Sequence, residues 1–378
     1  MSTLPEKGLQ IRTLIKPEGE LELSLAEVEI PTPGPTDIII KVEATPINPS
    51  DLGLLVGAGD ISTAVQSGTA DRPVITAKVP EAGMRAMKAR IGESLPVGNE
   101  GAGTVVAAGE SEAAQALLGK RVTGLGGEFY AEYRMLNVAQ VMELPDGISA
   151  EQGASCYVNP LTALSFVETM RNMGHESLVH TAAASNLGQM LNKICLKDGV
   201  PLVNIVRKEE QAKLLKDQGA THVVNSSDDD FLEQLKAAID ETDAFYGFDP
   251  IGGGKMVDTC FKAMEQVAVG KMSEYSRYGS NQQKRMFIYG RLDFGPTTLT
   301  PSYGFGWTLS GWLLTPFLQS AGMETVMRMR KRVLDNLGTT FASGYKTKVD
   351  LEGMLTKDAI LDYRQMKTGE KYLVTPQG

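Results

Sequence analysis

The feature that most constrains this 378-residue chain is a regular alternation of strand-like and helix-like segments between residues 157 and 309. We predict short apolar strands at 178–181, 200–206, 221–224 and 244–248. The segments between them have apolar residues at helical spacing. Strands joined by helices pair in parallel, and a parallel sheet is covered by helices on both faces. The pattern predicts the α/β class with a doubly wound parallel sheet. One helix, over 229–239, is predicted to be capped by the polar cluster at 226–228.

The N-terminal part of the chain has a different pattern. From about residue 9 to residue 143 it consists of short apolar runs divided by glycine and proline turns, which is typical of an all-β domain. Single hydrophobic cores stop growing near ~250 to 300 residues, so two domains are expected. Residues 54–96 interrupt the pattern with one helix-like stretch at 81–91. A connection this long is a structured insertion, a lid or an oligomer contact, and its role stays open at this point.

Charge and composition exclude several functions. The net charge is −9, and the one basic run, 328–332, lies in an amphipathic stretch that reads as the solvated face of a helix. Nucleic acid is therefore not an expected partner. No stretch of 18 apolar residues occurs, and the first ten residues are polar, so we expect no membrane partner and a cytoplasmic location. Three separated cysteines, Cys156, Cys195 and Cys260, fit a reduced compartment.

A nucleotide-binding turn is indicated where the first of these strands turns into its helix. Residues 183–188 read Ala-Ala-Ser-Asn-Leu-Gly and match the G-x-G-x-x-G motif only at the final glycine. Small residues let the backbone approach a pyrophosphate, and the N–H groups of the helix N-terminus can bind it. On its own, the motif fits an ordinary strand–helix turn equally well.

The end of the second strand favours NADPH over NADH. NAD enzymes carry an acidic residue about 20 residues after the glycine motif, where it binds the ribose 2′-hydroxyl. Here the strand is followed by Arg207 and Lys208. The planar guanidinium of arginine can hold the 2′-phosphate oxygens in a bidentate way, so we predict NADPH as the cofactor. The alternative is a surface arginine that begins the next helix.

Several short motifs occur in the order typical of the medium-chain dehydrogenase/reductase superfamily. They are Asn-Pro-Ser-Asp at 48–51, Gly-Asn-Glu-Gly at 98–101, Gly-Lys-Arg-Val at 119–122, Tyr-Ala-Glu-Tyr at 130–133, Leu-Pro-Asp-Gly at 144–147 and Val-Asn-Pro-Leu-Thr-Ala at 158–163. They resemble the quinone oxidoreductase and mitochondrial enoyl thioester reductase branch, over nearly the whole chain apart from 54–95. The resemblance implies a Rossmann NADPH-binding domain, 156–319, and a discontinuous GroES-like β-barrel substrate domain, 1–155 and 320–378.

The same resemblance implies roles for individual residues. Asn159 and Thr162 would face the nicotinamide side of a cleft between the domains, and Tyr289 and Gly290 the nicotinamide ribose or ring. The pyrophosphate would be held by Ser185, Asn186 and Leu187, and the flanking Ala184 and Gly188 are also expected to bind the cofactor. Family members commonly pair the edge strands of their Rossmann sheets, and the apolar segment 305–314 could supply such an interface, so a homodimer is expected.

The zinc ligands of the superfamily's alcohol dehydrogenases are missing. Those enzymes hold a catalytic zinc with Cys, His and Cys, whereas the matching early positions here look like Asn48 and Asn99. The first 155 residues contain neither Cys nor His. Asp51 and Glu100 remain and are interpreted as hydrogen-bonding scaffold residues. We therefore predict no metal site, and we interpret the three histidines, all in the Rossmann half, as structural.

Without a metal, hydride transfer to an electron-poor acceptor is easier to support than alcohol oxidation. The nearest candidate donors to a developing oxyanion are Asn48 and Tyr130, although Tyr130 also fits a core position. The sequence predicts an NADPH-dependent reductase of quinones or α,β-unsaturated carbonyls. The alternatives are a 2-enoyl thioester reductase, although 57–59 lacks the tyrosine that similar enzymes use, and a non-enzymatic NADPH-binding protein. The proton donor and the physiological acceptor stay open.

Overall fold

The computed structural model describes residues 4–369 and 371–378, and its internal contacts divide the chain into two units. The first unit joins Met1–Val158 to Arg332–Gly378, and the second is Asn159–Lys331. We predicted the return to the first unit at residue 320, whereas the contacts place it at Arg332. Arg328 explains part of the difference, because its guanidinium donates two hydrogen bonds of 3.0 Å to the Glu168 carboxylate within the second unit.

The N-terminal part of the first unit is built mainly of strands. These are β1 (Lys7–Lys16), β2 (Glu20–Glu29), β3 (Asp37–Pro46), β4 (Asp60–Thr69), β5 (Arg72–Lys78), β6 (Ser94–Pro96), β7 (Glu100–Ala108), β8 (Arg121–Leu125), β9 (Tyr133–Asn137) and β10 (Val141–Glu143). The helices are short: α1 (Pro49–Leu55), α2 (Glu81–Ala86), α3 (Glu112–Gln115) and α4 (Ala150–Gly153).

The insertion at 54–95 extends a sheet. Its hairpin, β4 and β5, supplies two of the five strands of an antiparallel sheet with the order β4-β5-β2-β1-β6. The helix predicted over 81–91 is shorter, since α2 ends at Ala86 and a 3-10 turn follows at Lys88–Arg90. The Arg90 guanidinium turns back and donates to the Leu54 carbonyl and the Thr13 hydroxyl, both at 3.0 Å. The Arg90 side chain thus binds residues of α1 and β1.

The second unit alternates strands and helices as predicted. Its helices are α5 (Val158–Asn172), α6 (Asn186–Asp198), α7 (Glu209–Asp217), α8 (Phe231–Thr242), α9 (Met256–Gly270), α10 (Leu314–Ser320) and α11 (Met323–Leu334). Its strands are β11 (Leu178–His180), β12 (Leu202–Val206), β13 (His222–Asn225), β14 (Tyr246–Asp249), β15 (Lys284–Ile288) and β16 (Trp307–Gly311). All pairings between them are parallel, in the order β13-β12-β11-β14-β15-β16. This is the strand order of a doubly wound dinucleotide-binding sheet, so the predicted fold class is confirmed.

Helices cover both faces of this sheet. On one face, Leu235 of α8 and Phe261 of α9 belong to the same apolar cluster as Val203. On the other face, the ring of Phe166 in α5 stacks on Phe248 of β14 with centroids 3.9 Å apart. Successive residues of a strand point to opposite faces, which is why these strands read as continuous apolar runs.

The predicted cap of α8 is wrong. The helix begins at Phe231 with Asp230 as its N-cap residue, two residues later than expected. The polar residues at 226–228 are used within the preceding loop instead. Asn225 donates through Nδ2 to the Asp228 carboxylate at 2.8 Å, and the Ser227 hydroxyl donates to the Arg207 carbonyl at 2.8 Å.

The C-terminal segment completes the first unit. It contributes β17 (Thr347–Val349), α12 (Leu351–Met354), α13 (Lys357–Tyr363) and β18 (Tyr372–Val374). A seven-stranded sheet has the order β10-β8-β7-β3-β18-β17, with β9 also paired to β3. Strand β9 pairs along the first half of β3, and β18 pairs with Thr45 and Pro46 at its end. Among the residues that the structure describes, no helix has the length and apolarity needed to cross a bilayer.

Candidate functional site

The turn between β11 and α6 has the geometry of a nucleotide-binding turn. Ser185 is the N-cap residue of α6, and its hydroxyl accepts the N–H of Gly188 at 3.1 Å. A Cβ added to Gly188 would lie 2.2 Å from the Ala183 carbonyl oxygen, so only glycine allows this close packing of helix on strand. Ala182 has a φ of +48°, a left-handed conformation that costs an alanine roughly 1 to 2 kcal/mol. Strain of this kind concentrates at functional sites.

The predicted pyrophosphate residues therefore lie together at the start of one helix. Ala184 and Leu187 are buried, and Ser185 and Asn186 are partly exposed. Their backbone lies at the carboxyl end of β11, next to β14 in the sheet, where the chain order reverses and such folds bind ligands. A role in binding the pyrophosphate stays a prediction for these residues.

The carboxyl ends of β14 and β15 lie at the same edge of the sheet as the turn between β11 and α6. Asp249 accepts hydrogen bonds from the Thr181 hydroxyl and from the Gly252 N–H, the latter at 2.7 Å. Burial raises the pKa of Asp249, and these donors oppose the rise. A Cβ added to Gly290 would lie 2.8 Å from the Pro250 carbonyl oxygen, so the loops after the two strands are packed tightly.

Tyr289 turns its side chain into the second unit. Its hydroxyl lies 2.8 Å from Nε2 of His180, and the two rings are stacked. His180 is fully buried, which lowers its pKa to about 3 and keeps the imidazole neutral. The Tyr289 hydroxyl is thus engaged by His180, and a contact of Tyr289 with the nicotinamide region, which the resemblance implied, stays a prediction.

Asn159 and Thr162 lie three residues apart in the first turns of α5, so their side chains share one face of that helix. Both are buried, with exposed fractions of 8% and 6%. A role beside the nicotinamide stays a prediction for both residues.

Arg207 and Lys208 follow β12 directly, and both are exposed. The Arg207 N–H donates to the Gln211 side chain at 3.2 Å, and the Arg207 carbonyl accepts the Ser227 hydroxyl. These bonds hold the backbone of the turn while the guanidinium stays in solvent. The position where an NAD enzyme carries a carboxylate thus presents a cation.

The first unit contains a buried polar cluster around Asn48, the N-cap residue of α1. Its Nδ2 donates to Oε1 of Glu100 at 2.8 Å, and an amide carries a second N–H that a ligand oxygen could accept. The other Glu100 oxygen accepts the N–H groups of Tyr157 and Val158, both at 2.9 Å. Burial raises the pKa of Glu100, while nearby Lys371 and these three donors favour the carboxylate. The scaffold role predicted for Glu100 fits this geometry.

Asp51 and Tyr130 belong to the same cluster. Asp51 accepts the N–H groups of Asn48 and Asn99, each at 2.8 Å, and burial raises its pKa to about 7. Tyr130 is fully buried in the apolar core of the unit, and its hydroxyl donates to the Pro46 carbonyl at 3.1 Å. This geometry favours the core interpretation of Tyr130 over the catalytic one.

Three residues that the sequence did not single out adjoin this cluster. Nζ of Lys371 donates to the Ser155 hydroxyl at 2.8 Å, and the Ser155 hydroxyl lies 2.8 Å from that of Tyr345. Burial lowers the pKa of Lys371 to about 8, against the opposing field of Glu100. A lysine directly before the apolar strand β18 was the only sequence signal for this group.

The described residues, 4–369 and 371–378, contain no group of three or more His, Cys, Asp or Glu side chains placed to hold a metal ion. The two carboxylates nearest Asn48 are each engaged by N–H donors. Independence from zinc stays a prediction.

Comparison with known proteins identifies relatives over parts of the chain. Residues 186–288 match the family described as zinc-binding dehydrogenase. The quinone oxidoreductase of Pseudomonas aeruginosa is 30% identical over 159 residues, which are 41% of this chain and 49% of that protein. The mitochondrial enoyl-[acyl-carrier-protein] reductase of Xenopus tropicalis is 27% identical over 213 residues, 53% of this chain and 51% of that protein. The chain thus spans about half the length of the curated relatives it matches.

Solved structures resemble the whole chain. A Mesorhizobium loti protein that carries the name NADPH:quinone reductase superposes with a TM-score of 0.73, covering 99% of this chain and 100% of its own at 24% identity. At that identity the likeness concerns the fold, which is a Rossmann domain with a GroES-like domain. The chain therefore matches a dehydrogenase family over residues 186–288, is similar in sequence to a quinone oxidoreductase and an enoyl reductase over about half of their lengths, and shares its fold with a protein named NADPH:quinone reductase.

Proposed function

We propose that this protein is an NADPH-dependent oxidoreductase that reduces a quinone or an α,β-unsaturated carbonyl without zinc. The observation that carries the proposal is the pairing of a nucleotide-binding turn closed by Gly188 with an exposed Arg207 at the end of the next strand. The names of the relatives support the reaction class. NADPH supplies a hydride when it is bound at such a site.

The residues of the chain would do the rest by binding and orientation. The N–H groups at the start of α6 would bind the pyrophosphate, and Arg207 with Lys208 the 2′-phosphate. In the first unit, the Glu100 carboxylate holds the Asn48 amide in place, so that its second N–H is preset to donate to a substrate oxygen that gains negative charge.

One observation favours quinones and enones over 2-enoyl thioesters. Enoyl reductases that resemble this chain use a tyrosine shortly after the Asn-Pro-Ser-Asp motif, and the matching stretch is 57–59. A Cβ added to Gly59 would lie 2.6 Å from a methyl group of Leu21, and Gly57 has a φ of +52°. The backbone at these two positions is thus unsuited to a tyrosine side chain, which leaves thioester reduction as the second candidate.

The test is NADPH consumption with a panel of quinones, enones and 2-enoyl thioesters, each measured with and without a strong chelator. We expect turnover with quinones or enones that is unchanged by the chelator. Turnover with thioesters alone would support the second candidate. NADPH binding without turnover of any acceptor would indicate a non-enzymatic NADPH-binding protein, and about one zinc per chain in metal analysis would contradict the zinc-free reaction.

We also propose a homodimer formed through β16, which is the edge strand of the six-stranded sheet. Two large apolar side chains flank this strand in solvent, Phe305 at 82% and Leu313 at 67% exposed. Light scattering at micromolar concentration should give twice the 40.7 kDa chain mass, and the double change F305K/L313K should shift it towards the monomer. The control is F294K, which charges an equally exposed phenylalanine (75%) away from β16. A monomeric wild type would contradict the proposal.

A further inference from the structure

A chain of three hydrogen-bonded groups in the first unit has the composition of a proton relay. We propose that Lys371, Ser155 and Tyr345 deliver the proton that neutralises the reduced substrate. The inference rests on the proposed reductase function and supplies the proton donor that this function requires. The three residues come from the segment before β18, the segment after α4 and the segment before β17.

The hydrogen bonds set a direction for the relay. Lysine has only donors, so Nζ of Lys371 donates to the Ser155 oxygen at 2.8 Å. The Ser155 hydroxyl keeps its own hydrogen, which it can donate to the Tyr345 oxygen at 2.8 Å. In that arrangement the Tyr345 hydrogen is left for an acceptor beyond the chain of three. A proton can then move outward from Lys371 by one transfer along each bond.

The charges around Lys371 suit an acid that works near neutral pH. The groups that act on it are the carboxylates of Glu100 on β7 and Asp51 on α1, and the thiol of Cys156; its ammonium also lies 5.9 Å from the centre of the Tyr345 ring. Burial lowers the pKa of Lys371 more strongly than these three groups raise it. The resulting pKa of about 8 lies close to the range in which general acids are most effective.

The proposed step balances. Once the acceptor carbon has gained a hydride, the two electrons reduce the C=C or C=O bond and leave a negative charge on the substrate oxygen. Tyr345 donates its proton to that oxygen, forming an O–H bond, and takes the proton of Ser155. Ser155 in turn takes one from Lys371, which becomes a neutral amine and regains its proton from water. The sum is one NADPH and one proton consumed per acceptor.

The alternative is a purely structural role, in which the three groups tie the C-terminal segment to the linker after α4. That role predicts lower stability when the contacts are removed and no change in the pH dependence of turnover. It also predicts that arginine can replace Lys371, because arginine keeps the charge and the donors. A relay cannot use arginine, which does not release its proton near neutral pH.

The experiment compares pH profiles of kcat and KM for the wild type, K371M, K371R, Y345F and S155A. The matched control is K348M, which removes an exposed lysine of the same segment that pairs with Glu151 at 2.6 Å. Wild type and K348M should lose kcat as the pH rises through about 8, because Lys371 is protonated and active below its pKa. K371M and K371R should lose kcat by roughly a hundredfold, as general acids typically contribute ~10² to 10⁴. Their remaining activity should not fall at pH 8, and KM for NADPH should stay unchanged.

The outcomes separate this inference from the proposed function. Wild-type turnover together with full activity of K371R, or with an unchanged alkaline limb in K371M, overturns the relay and leaves the reductase function standing. Absence of wild-type turnover with every acceptor overturns both. If K371M fails to fold, K371R and Y345F carry the test, since both preserve the shape and most contacts of the replaced side chain.

Discussion

Replacing Lys284 with methionine is expected to lower the free energy of unfolding of the second unit by about 3 to 5 kcal/mol, the usual cost of leaving one member of a buried ion pair alone. Lys284 is 1% exposed, and its Nζ lies 2.6 Å from the Glu265 carboxylate. The same ammonium donates to the Ser280 hydroxyl at 3.1 Å and the Gln282 carbonyl at 2.7 Å. The change would leave a buried carboxylate without its counter-charge.

The measurement is urea unfolding followed by tryptophan fluorescence. Both tryptophans of the chain, Trp307 and Trp312, lie in the second unit, so the signal reports on that unit. The control is K213M, which breaks the exposed ion pair of Lys213 with Asp217 and should change stability by less than about 1 kcal/mol. Equal effects of K284M and K213M would show that the buried pair does not stabilise the unit.

The ion pair should also make the stability of the second unit depend on pH. Burial raises the pKa of Glu265, but the donors Lys284 and Ser280 outweigh it, and the pKa is lowered overall. The contribution of Glu265 to stability is therefore present at neutral pH and is lost as the pH falls through the lowered pKa. In K284M, acid protonates the Glu265 carboxylate, which lacks its partner, and so removes the cost of burying an unpaired charge. The difference in free energy of unfolding between wild type and K284M should consequently become smaller in acid.

Arg207→Ala should weaken NADPH binding by roughly ten- to a hundredfold and leave NADH binding nearly unchanged, since a charge-assisted hydrogen bond contributes on the order of 1.5 to 3 kcal/mol. The exposed guanidinium at the end of β12 is the reason for this expectation. Arg207→Asp should reverse or abolish the preference, because a carboxylate repels a 2′-phosphate and can accept a bond from a 2′-hydroxyl. Lys208 can also contact the 2′-phosphate, in which case the full loss of NADPH affinity appears only when both Arg207 and Lys208 are changed.

Calorimetric titration with NADPH and NADH measures this preference directly. K213A is the matched control, since it removes an exposed cation from α7, the helix that follows Arg207, and should leave the affinity ratio unchanged. The effect of Arg207 should also shrink as the salt concentration rises, because an exposed charge is screened. The same NADPH to NADH ratio in wild type and Arg207→Ala would show that the cofactor assignment is wrong.

The parts of the fold that were predicted depend on local patterns. The strands β11 to β14 are short apolar runs, and α6 ends at Gly199, whose φ of +67° is the left-handed conformation in which glycine commonly ends a helix. The β4–β5 hairpin was missed because its pattern is broken. The pairing shifts between Asp60 and Val65, which interrupts the period of two that identifies a strand.

The residues of the candidate site were also predicted only where the pattern is local. The turn at 183–188 and Arg207 were identified because a nucleotide motif is contiguous and its distance to the next strand end is fixed. Tyr130 was placed among the catalytic candidates because a polar aromatic beside a motif can point either to a ligand or to a core. Ser155, Tyr345 and Lys371 were not identified, since residues so far apart in sequence meet only when β17 and β18 return to the first unit.

The position of β18 also affects how the protein is made. Its partner on β3, at Thr45 and Pro46, is translated early, whereas Tyr372–Val374 follows Val158 by about 200 residues. Tyr372 follows Pro46 by about 330 residues, so at ~5 to 20 residues per second the end of β3 waits for this partner for about 16 to 65 s on the ribosome. The second unit is continuous and can fold in that interval. The nascent first unit meanwhile presents an open strand edge, which is a site for chaperone binding or for pairing with another nascent chain.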